Sequence, residues 1–234
     1  MNLDFWTQLN DSLQRLEQDK NIKGVIFYSG LKRNVFTAGN DINELYAPKT
    51  SPERYKQFNF AVNTFLTNLY SSRLVTIAAI KGACPAGGCI LSMCCDYRIM
   101  TEEGSIGLNE VALGIAVPKF WIDLMTKLVG QGQSEKLLKF AKMLTPREAK
   151  EVGLIDEVVA TAEDLLPTTE KVLKQLISLP AAGRIVVKSH LRSAFTEKWR
   201  ASVPEETETN WMVLSSPSTV KALGSVLERL SSKL

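Results

Sequence analysis

Two short β-branched runs, each ending in a glycine-containing loop that enters a helical stretch, restrict this chain more than any other feature. Gly24-Val-Ile-Phe-Tyr28 and Leu74-Val-Thr-Ile-Ala-Ala-Ile80 are apolar without alternation, the pattern of strands covered on both faces. Helical patterns separate them. Leu3, Trp6, Leu9, Leu13 and Leu16 recur at three- and four-residue spacing and predict an amphipathic helix ending near Lys20, while Pro52 opens a longer helix through Phe65 to about Tyr70. A third strand is expected at Tyr97-Arg-Ile-Met100, after a helix carrying Ile90, Leu91 and Met93 and before a turn at Glu102-Glu-Gly104. Helix, strand, helix, strand, helix, strand is the order of an α/β architecture with helical crossovers.

After Pro118 the pattern turns helical. Helices are predicted at Phe120 to Val129, Glu135 to Met143 and Pro146 to Val152, followed by one short strand, Leu154 to Val159. From about Ala162 onward only helices are expected, broken at Pro180, Pro204 and Pro217, which makes the last third a helical appendage. The chain of 234 residues is long enough to bury one substantial core without disulfides. The expected division is a core over residues 1–160 and a helical region over residues 161–234.

No apolar run reaches the ~18 residues of a membrane span. The formal charge of +3 is mild and spread along the chain, so the charge balance does not require nucleic acid. Cys84, Cys89, Cys94 and Cys95 crowd one stretch with no CxxC pair and no histidine nearby. They read as small buried hydrophobes of a reducing compartment, and no metal site is expected.

The loops after the two apolar strands, Thr37-Ala-Gly-Asn-Asp41 and Cys84-Pro-Ala-Gly-Gly88, both lead into helices. A loop entering a helix offers unpaired N–H groups and the positive end of the helix dipole, and small side chains let a ligand oxygen approach the backbone. Two such groups aimed at one point make an oxyanion hole. Neither loop has the spacing of a P-loop or a dinucleotide fingerprint. A third stretch, Ile106-Gly-Leu-Asn-Glu-Val-Ala-Leu-Gly-Ile115, sets Glu110 among apolar neighbours. Desolvation there would raise its pKa and suit it to proton transfer near neutral pH. Read alone, a lone glutamate beside Asn109 is more often an exposed turn or helix-start residue.

Taken in order, these stretches resemble the enoyl-CoA hydratase/isomerase (crotonase) superfamily, and within it the short mitochondrial-type 3,2-trans-enoyl-CoA isomerases. Phe36-Thr-Ala-Gly-Asn-Asp-Ile42 is similar to the family's first oxyanion loop, and Gly82-Ala-Cys-Pro-Ala-Gly-Gly-Cys89 to the isomerase form of the second. Cys95-Asp-Tyr-Arg98, Ile106-Gly-Leu-Asn-Glu110, Leu144-Thr-Pro-Arg-Glu-Ala149 and Gly153-Leu-Ile-Asp-Glu157 continue the series, so the likeness covers nearly the whole chain. The resemblance implies a spiral of β-β-α turns followed by a helical C-terminal region that helps form a homotrimer or a dimer of trimers. It implies that the N–H groups of Ala38 and Gly87 hold a thioester oxygen and that Glu110 carries the proton. Ala38, Gly39, Asn40, Asp41 and Ile42 would line the coenzyme A and acyl groups, and Asn109 would contact substrate or orient the carboxylate.

The family's hydratases use two glutamates, and the alignment of the second loop puts Ile90 where they carry the first. One base suffices to shift a double bond. The resemblance therefore implies conversion of 3-enoyl-CoA to trans-2-enoyl-CoA in the β-oxidation of unsaturated fatty acids, with no cofactor beyond the coenzyme A of the substrate. The alternatives are a 2-enoyl-CoA hydratase and a non-catalytic acyl-CoA-binding or RNA-binding relative. A serine protease reading fails because the single histidine, His190, lies in an expected C-terminal helix and the chain has no GxSxG-type elbow.

Family members begin with strands ahead of the first helix, so the first β-β element is expected to be missing, which would uncover a sheet edge and hide any N-terminal targeting peptide. The last three residues, Ser232-Lys233-Leu234, match the tripeptide read by the peroxisomal import receptor. A peroxisome or a similar organelle is the expected compartment, with the mitochondrial matrix as the alternative.

Overall fold

The computed structural model describes residues 1–231; the Ser232-Lys233-Leu234 tripeptide lies outside the described residues. Asn2 caps the first helix, α1 (Leu3–Gln18), by accepting from the Phe5 amide. Its apolar stripe buries Trp6 and Leu13. β1 (Gly24–Tyr28) precedes a long loop with 3-10 turns at Ile42–Glu44 and Ala47–Lys49, and the Ser51 hydroxyl then caps α2 (Pro52–Tyr70). β2 (Val75–Pro85), α3 (Gly87–Cys94) and β3 (Tyr97–Gly107) follow. Past a further 3-10 turn at Glu110–Leu113 come α4 (Lys119–Val129), α5 (Gln131–Lys139), α6 (Pro146–Glu151) and β4 (Glu157–Val159). Three helices follow in the described chain: α7 (Ala162–Ser178), α8 (Ala181–Leu214) and α9 (Pro217–Ser231).

The four strands form one parallel sheet in the order β1-β2-β3-β4. Successive side chains of β2 point to opposite faces, and both faces are covered. Val75, Ile77 and Ala79 pack with Ile99 against Leu165, Leu173 and Ile177 of α7. Ala78 and Ile80 join Met100 in the main core with Trp6, Phe65, Leu66 and Ile90. α8 lies against α2, and its fully buried Trp199 stacks on Phe120 of α4 at 5.7 Å between ring centroids. The helices after residue 161 are thus built into the core, covering the sheet and α2, instead of being appended to it.

Several local expectations give way to tertiary structure. β1 is only half-buried, with Tyr28 exposed, because it is the outer strand of the described sheet. β2 and β3 do not stop at Lys81-Gly82 and at Glu102-Glu-Gly104 but continue to Pro85 and Gly107. Ile77–Ile80 pair with Tyr97–Met100, the register shifts, and Gly82–Pro85 pair with Gly104–Gly107. Gly82 (φ 68°) and Gly104 (φ 139°) carry the bend, and a Cβ on Gly82 would overlap the Asn34 carbonyl. The Gly82 amide freed by the shift donates to Thr101 Oγ1 at 3.1 Å. The second halves build a further ladder, with Val35 bridged to Ala83 and Ile106 to Leu144. Two ladders and then a helix make one β-β-α turn of a spiral.

β4 is shorter than predicted, since Leu154 and Ile155 are buried in a turn whose amides bond to Ala149 O. Pro204 does not break α8, which runs unbroken to Leu214. A proline inside a helix loses one backbone hydrogen bond and costs about 3 kcal/mol. Here Val203 and Thr207 on either side of it are buried, and Thr207 is bonded to Asn59 of α2, so packing holds the helix together.

Two of the motifs that carried the resemblance prove structural. Asp96 caps the start of β2 through the Thr76 amide (2.9 Å) and faces Lys188 (2.8 Å) and Arg192 (3.0 Å) of α8. Arg98 pairs with Asp156 at 2.9 Å and joins β3 to the turn before β4.

Candidate active site

The loop after β1 is held on three sides. Ala83 O in the second half of β2 accepts from the Phe36 amide at 2.9 Å, and Thr37 Oγ1 accepts from the Gly39 amide at 3.0 Å. Gly39 has φ 83°, a conformation that favours glycine. From α1, the Trp6 indole donates to Asn40 Oδ1 at 3.1 Å. Met1 brackets the loop, its amine donating to Gly39 O (2.7 Å) and its carbonyl accepting from the Asp41 amide (2.9 Å). The Asp41 carboxylate caps the following 3-10 turn through the Asn43 amide. Beneath it, buried Glu44 is clamped by both nitrogens of an Arg54 fork, at 2.9 and 2.7 Å.

The loop after β2 turns sharply into α3. Ala86 takes φ 49° and ψ −118°, a strained conformation for a residue with a Cβ, and its amide is fixed to Gly107 O at 2.9 Å. Gly87 and Gly88 then form the first turn of α3, whose leading N–H groups have no partner within the helix. A Cβ on Gly39 would lie 3.4 Å from that of Ala86, and one on Gly87 would lie 2.7 Å from Asn40 Oδ1. The two loops are therefore in contact, Gly39 against Ala86 and Asn40 against Gly87.

Glu110 arrives from a third direction. It opens the 3-10 turn after β3, which Gly114 closes at φ 76°. It is 4% exposed, and neither carboxylate oxygen has a hydrogen-bond partner. Burial raises its pKa from 4.5 to about 7, offset only in part by its own backbone amide. Elsewhere a buried carboxylate finds a cation, as Glu44 does; Glu110 has none among the described residues.

These elements border one cavity of about 430 Å³. Ala38, Gly39, Asn40, Asp41 and Ile42 line it, as do Asn109 and Glu110. Gly87 sits just behind the lining, next to Ala86, which is on it. Ile90 is fully buried in the core, one turn further along α3. The two carboxylates on the lining are Asp41, engaged as a cap, and Glu110, unpartnered. The Asn109 Oδ1 is also buried without a partner. The four cysteines are free and buried, and His190 is exposed on α8, away from these residues.

The other walls were not read from the sequence. α2 supplies Tyr55, Phe58, Asn59 and Val62, α4 supplies Trp121, and α8 supplies Asn210, Val213 and Leu214, with Val226 from α9. Their helices were predicted from apolar periodicity, but a stripe of apolar residues reads alike whether it faces a neighbouring helix or an empty space. Asn59 and Asn210 were the available signal, as amides on otherwise inward faces.

The family model described as Enoyl-CoA hydratase/isomerase matches residues 1–231. The mitochondrial enoyl-CoA delta isomerase 1 of Homo sapiens is 36% identical over 233 residues, covering 98% of this chain and 76% of that protein. The Rattus norvegicus protein of the same name is 36% identical over 236 residues, covering 100% of this chain and 80% of its own. The crystal structure of human mitochondrial delta3-delta2-enoyl-CoA isomerase superposes with a TM-score of 0.95 at 35% identity, covering 100% of this chain and 90% of that one. An enoyl-CoA hydratase from Bacillus halodurans shares the fold with a TM-score of 0.88 at 22% identity, covering 96% of this chain and 90% of its own.

Proposed function

The chain belongs to the enoyl-CoA hydratase/isomerase family, and from that premise we propose that it converts 3-enoyl-CoA to trans-2-enoyl-CoA. The observation that carries this reading is Glu110, among the described residues the one carboxylate on the cavity lining that is buried without a partner. The Glu110 carboxylate takes a proton from C2, and the C–H electron pair moves into an enolate whose charge rests on the thioester oxygen. The Ala38 and Gly87 amides hold that oxygen, a role supported by the contact between their loops and by the dipole of α3. The Glu110 carboxyl then returns the proton at C4 as the enolate collapses, leaving the double bond between C2 and C3. A pKa of about 7 lets one group serve as base and then as acid at neutral pH.

Hydration would need a second group to activate water, and Ile90 in the family's position for it is a buried hydrocarbon. The reaction as written uses no cofactor beyond the coenzyme A of the substrate. Purified protein given 3-hexenoyl-CoA should develop the absorbance of the conjugated thioester; no development at any concentration would overturn the reading.

We further infer a homotrimer or a dimer of trimers, supported by exposed Val186, Val187 and Leu191 on α8, with sedimentation as the test. The Ser232-Lys233-Leu234 sequence supports peroxisomal delivery through the import receptor wherever it forms the chain's terminus. The names of the mammalian relatives support the mitochondrial matrix instead. A fluorescent fusion with and without Leu234 separates the two, since only peroxisomal delivery is lost on removing that residue.

A further inference from the structure

A hydrocarbon chain needs no hydrogen bonds, yet one wall of the cavity carries three hydrogen-bonding side chains: Tyr55 and Asn59 of α2 and Asn210 of α8. None of them belongs to the loops that hold Ala38 and Gly87 or to the turn that carries Glu110. The wall is built to keep its shape. Asn59 Nδ2 donates to Thr207 Oγ1 at 2.7 Å, Asn63 Nδ2 donates to the Asn59 main-chain carbonyl at 2.8 Å and to Asn59 Oδ1 at 3.3 Å, and the Trp199 indole donates to Asn63 Oδ1 at 2.8 Å. Asn59 thereby spends one of its two N–H groups and retains the other. The Asn210 side chain lies against the Tyr55 hydroxyl, whose titration burial pushes far above the ordinary range while Asn210 draws it back and Glu206 adds to the rise.

The charge around this wall is as informative as its donors and acceptors. The described residues bordering the cavity include no lysine or arginine, and the charge that acts on the Tyr55 hydroxyl is the acidic Glu206. An anion would gain nothing there. A hydroxyl, which both donates and accepts, complements amides and a phenol that do the same.

We propose that Tyr55, Asn59 and Asn210 form a specificity element that seats a neutral hydroxyl carried on the acyl chain, distant from the reacting double bond. The substrate class is therefore a hydroxylated 3-enoyl thioester, and the proposal rests on the isomerase reading above. Asn210 and Tyr55 act by binding the chain and take no part in proton transfer.

The test compares kcat/KM for a series of 3-enoyl-CoA chains of increasing length, each plain, with a terminal hydroxyl, or with a terminal carboxylate. At one length the hydroxylated substrate should exceed its plain counterpart by about three- to tenfold, as one or two hydrogen bonds in a dry site allow, and the carboxylated one should fall below both. Asn210→Leu and Tyr55→Phe should each bring the hydroxyl-to-plain ratio to about one. A wild type without the preference at any length, a preference that survives both variants, or equal slowing of plain and hydroxylated chains would overturn the assignment. If no plain 3-enoyl-CoA is turned over, the isomerase reading has failed by itself. Equilibrium binding of saturated plain and hydroxylated acyl-CoA then reads the wall separately, with the same ratio expected and equal affinities overturning it.

Discussion

Asn40 Oδ1 stands 2.7 Å from the point where a Cβ on Gly87 would begin, and the same oxygen accepts from the Trp6 indole at 3.1 Å. The two loops thus fit only with hydrogen at position 87, and the Trp6 bond from α1 holds Asn40 in place. Gly87→Ala must push the loops apart. The expected result is a fall in kcat of about 100-fold, the scale of losing one oxyanion donor, with far less change in KM and a retained circular dichroism spectrum. Steady-state kinetics check it, and unchanged kcat would remove the Gly87 amide from the mechanism.

The pH dependence follows from the burial of Glu110. In the proposed role of base it must be ionised, so kcat/KM should rise with pH and level off above about 7. Stability should move the opposite way. Below about 4.5 the carboxyl is protonated folded and unfolded and no penalty exists, whereas above about 7 the folded state bears the full cost of an ionised buried group. That cost is about 3 kcal/mol by linkage. Glu110→Gln should therefore be more stable than wild type at pH 8 and nearly equal to it at pH 4, read by chemical denaturation at both.

The bend between the ladders depends on glycine. A side chain at Gly82 would overlap the Asn34 carbonyl, and its φ of 68° is itself unfavourable to any other residue. Gly82→Ala should destabilise the fold by about 3 kcal/mol or more, seen as a drop in the denaturation midpoint.

Asp96 neutralises two cations of α8. Asp96→Asn would leave Lys188 and Arg192 facing each other in a largely buried place. A loss of about 3 kcal/mol is expected, with kcat per folded molecule unchanged because none of these residues borders the cavity that holds Glu110. A large change in kcat at full folding would contradict that separation.

Most helices and the starts of β1, β2 and β3 were legible because local periodicity sets them, although α5 starts at Gln131 instead of Glu135 and β4 at Glu157 instead of Leu154. The ends of β2 and β3 were not. A glycine that bends a strand and one that ends it look alike in sequence, and the difference at Gly82 and Gly104 lies in what the next residues pair with. Pro204 misled for the matching reason, since its local cost is offset by the burial of Val203 and Thr207. In the site, Ala38 to Ile42 and Asn109-Glu110 were legible from the order of the motifs, but the burial of Glu110 comes from elements distant in the chain. The Tyr55, Asn59 and Asn210 wall was not read because it forms only where α2 and α8 meet, and two amides on inward faces were its one trace in the sequence.

One paired measurement bears on the whole account: isomerisation of 3-hexenoyl-CoA and hydration of crotonyl-CoA, assayed on the same preparation of wild type and Glu110→Gln. Rapid isomerisation with little hydration is expected in the wild type, and a loss of isomerisation of about 1,000-fold or more in the variant, the upper range for removing a general base. Robust hydration by the wild type, or isomerisation undiminished in Glu110→Gln, would contradict it.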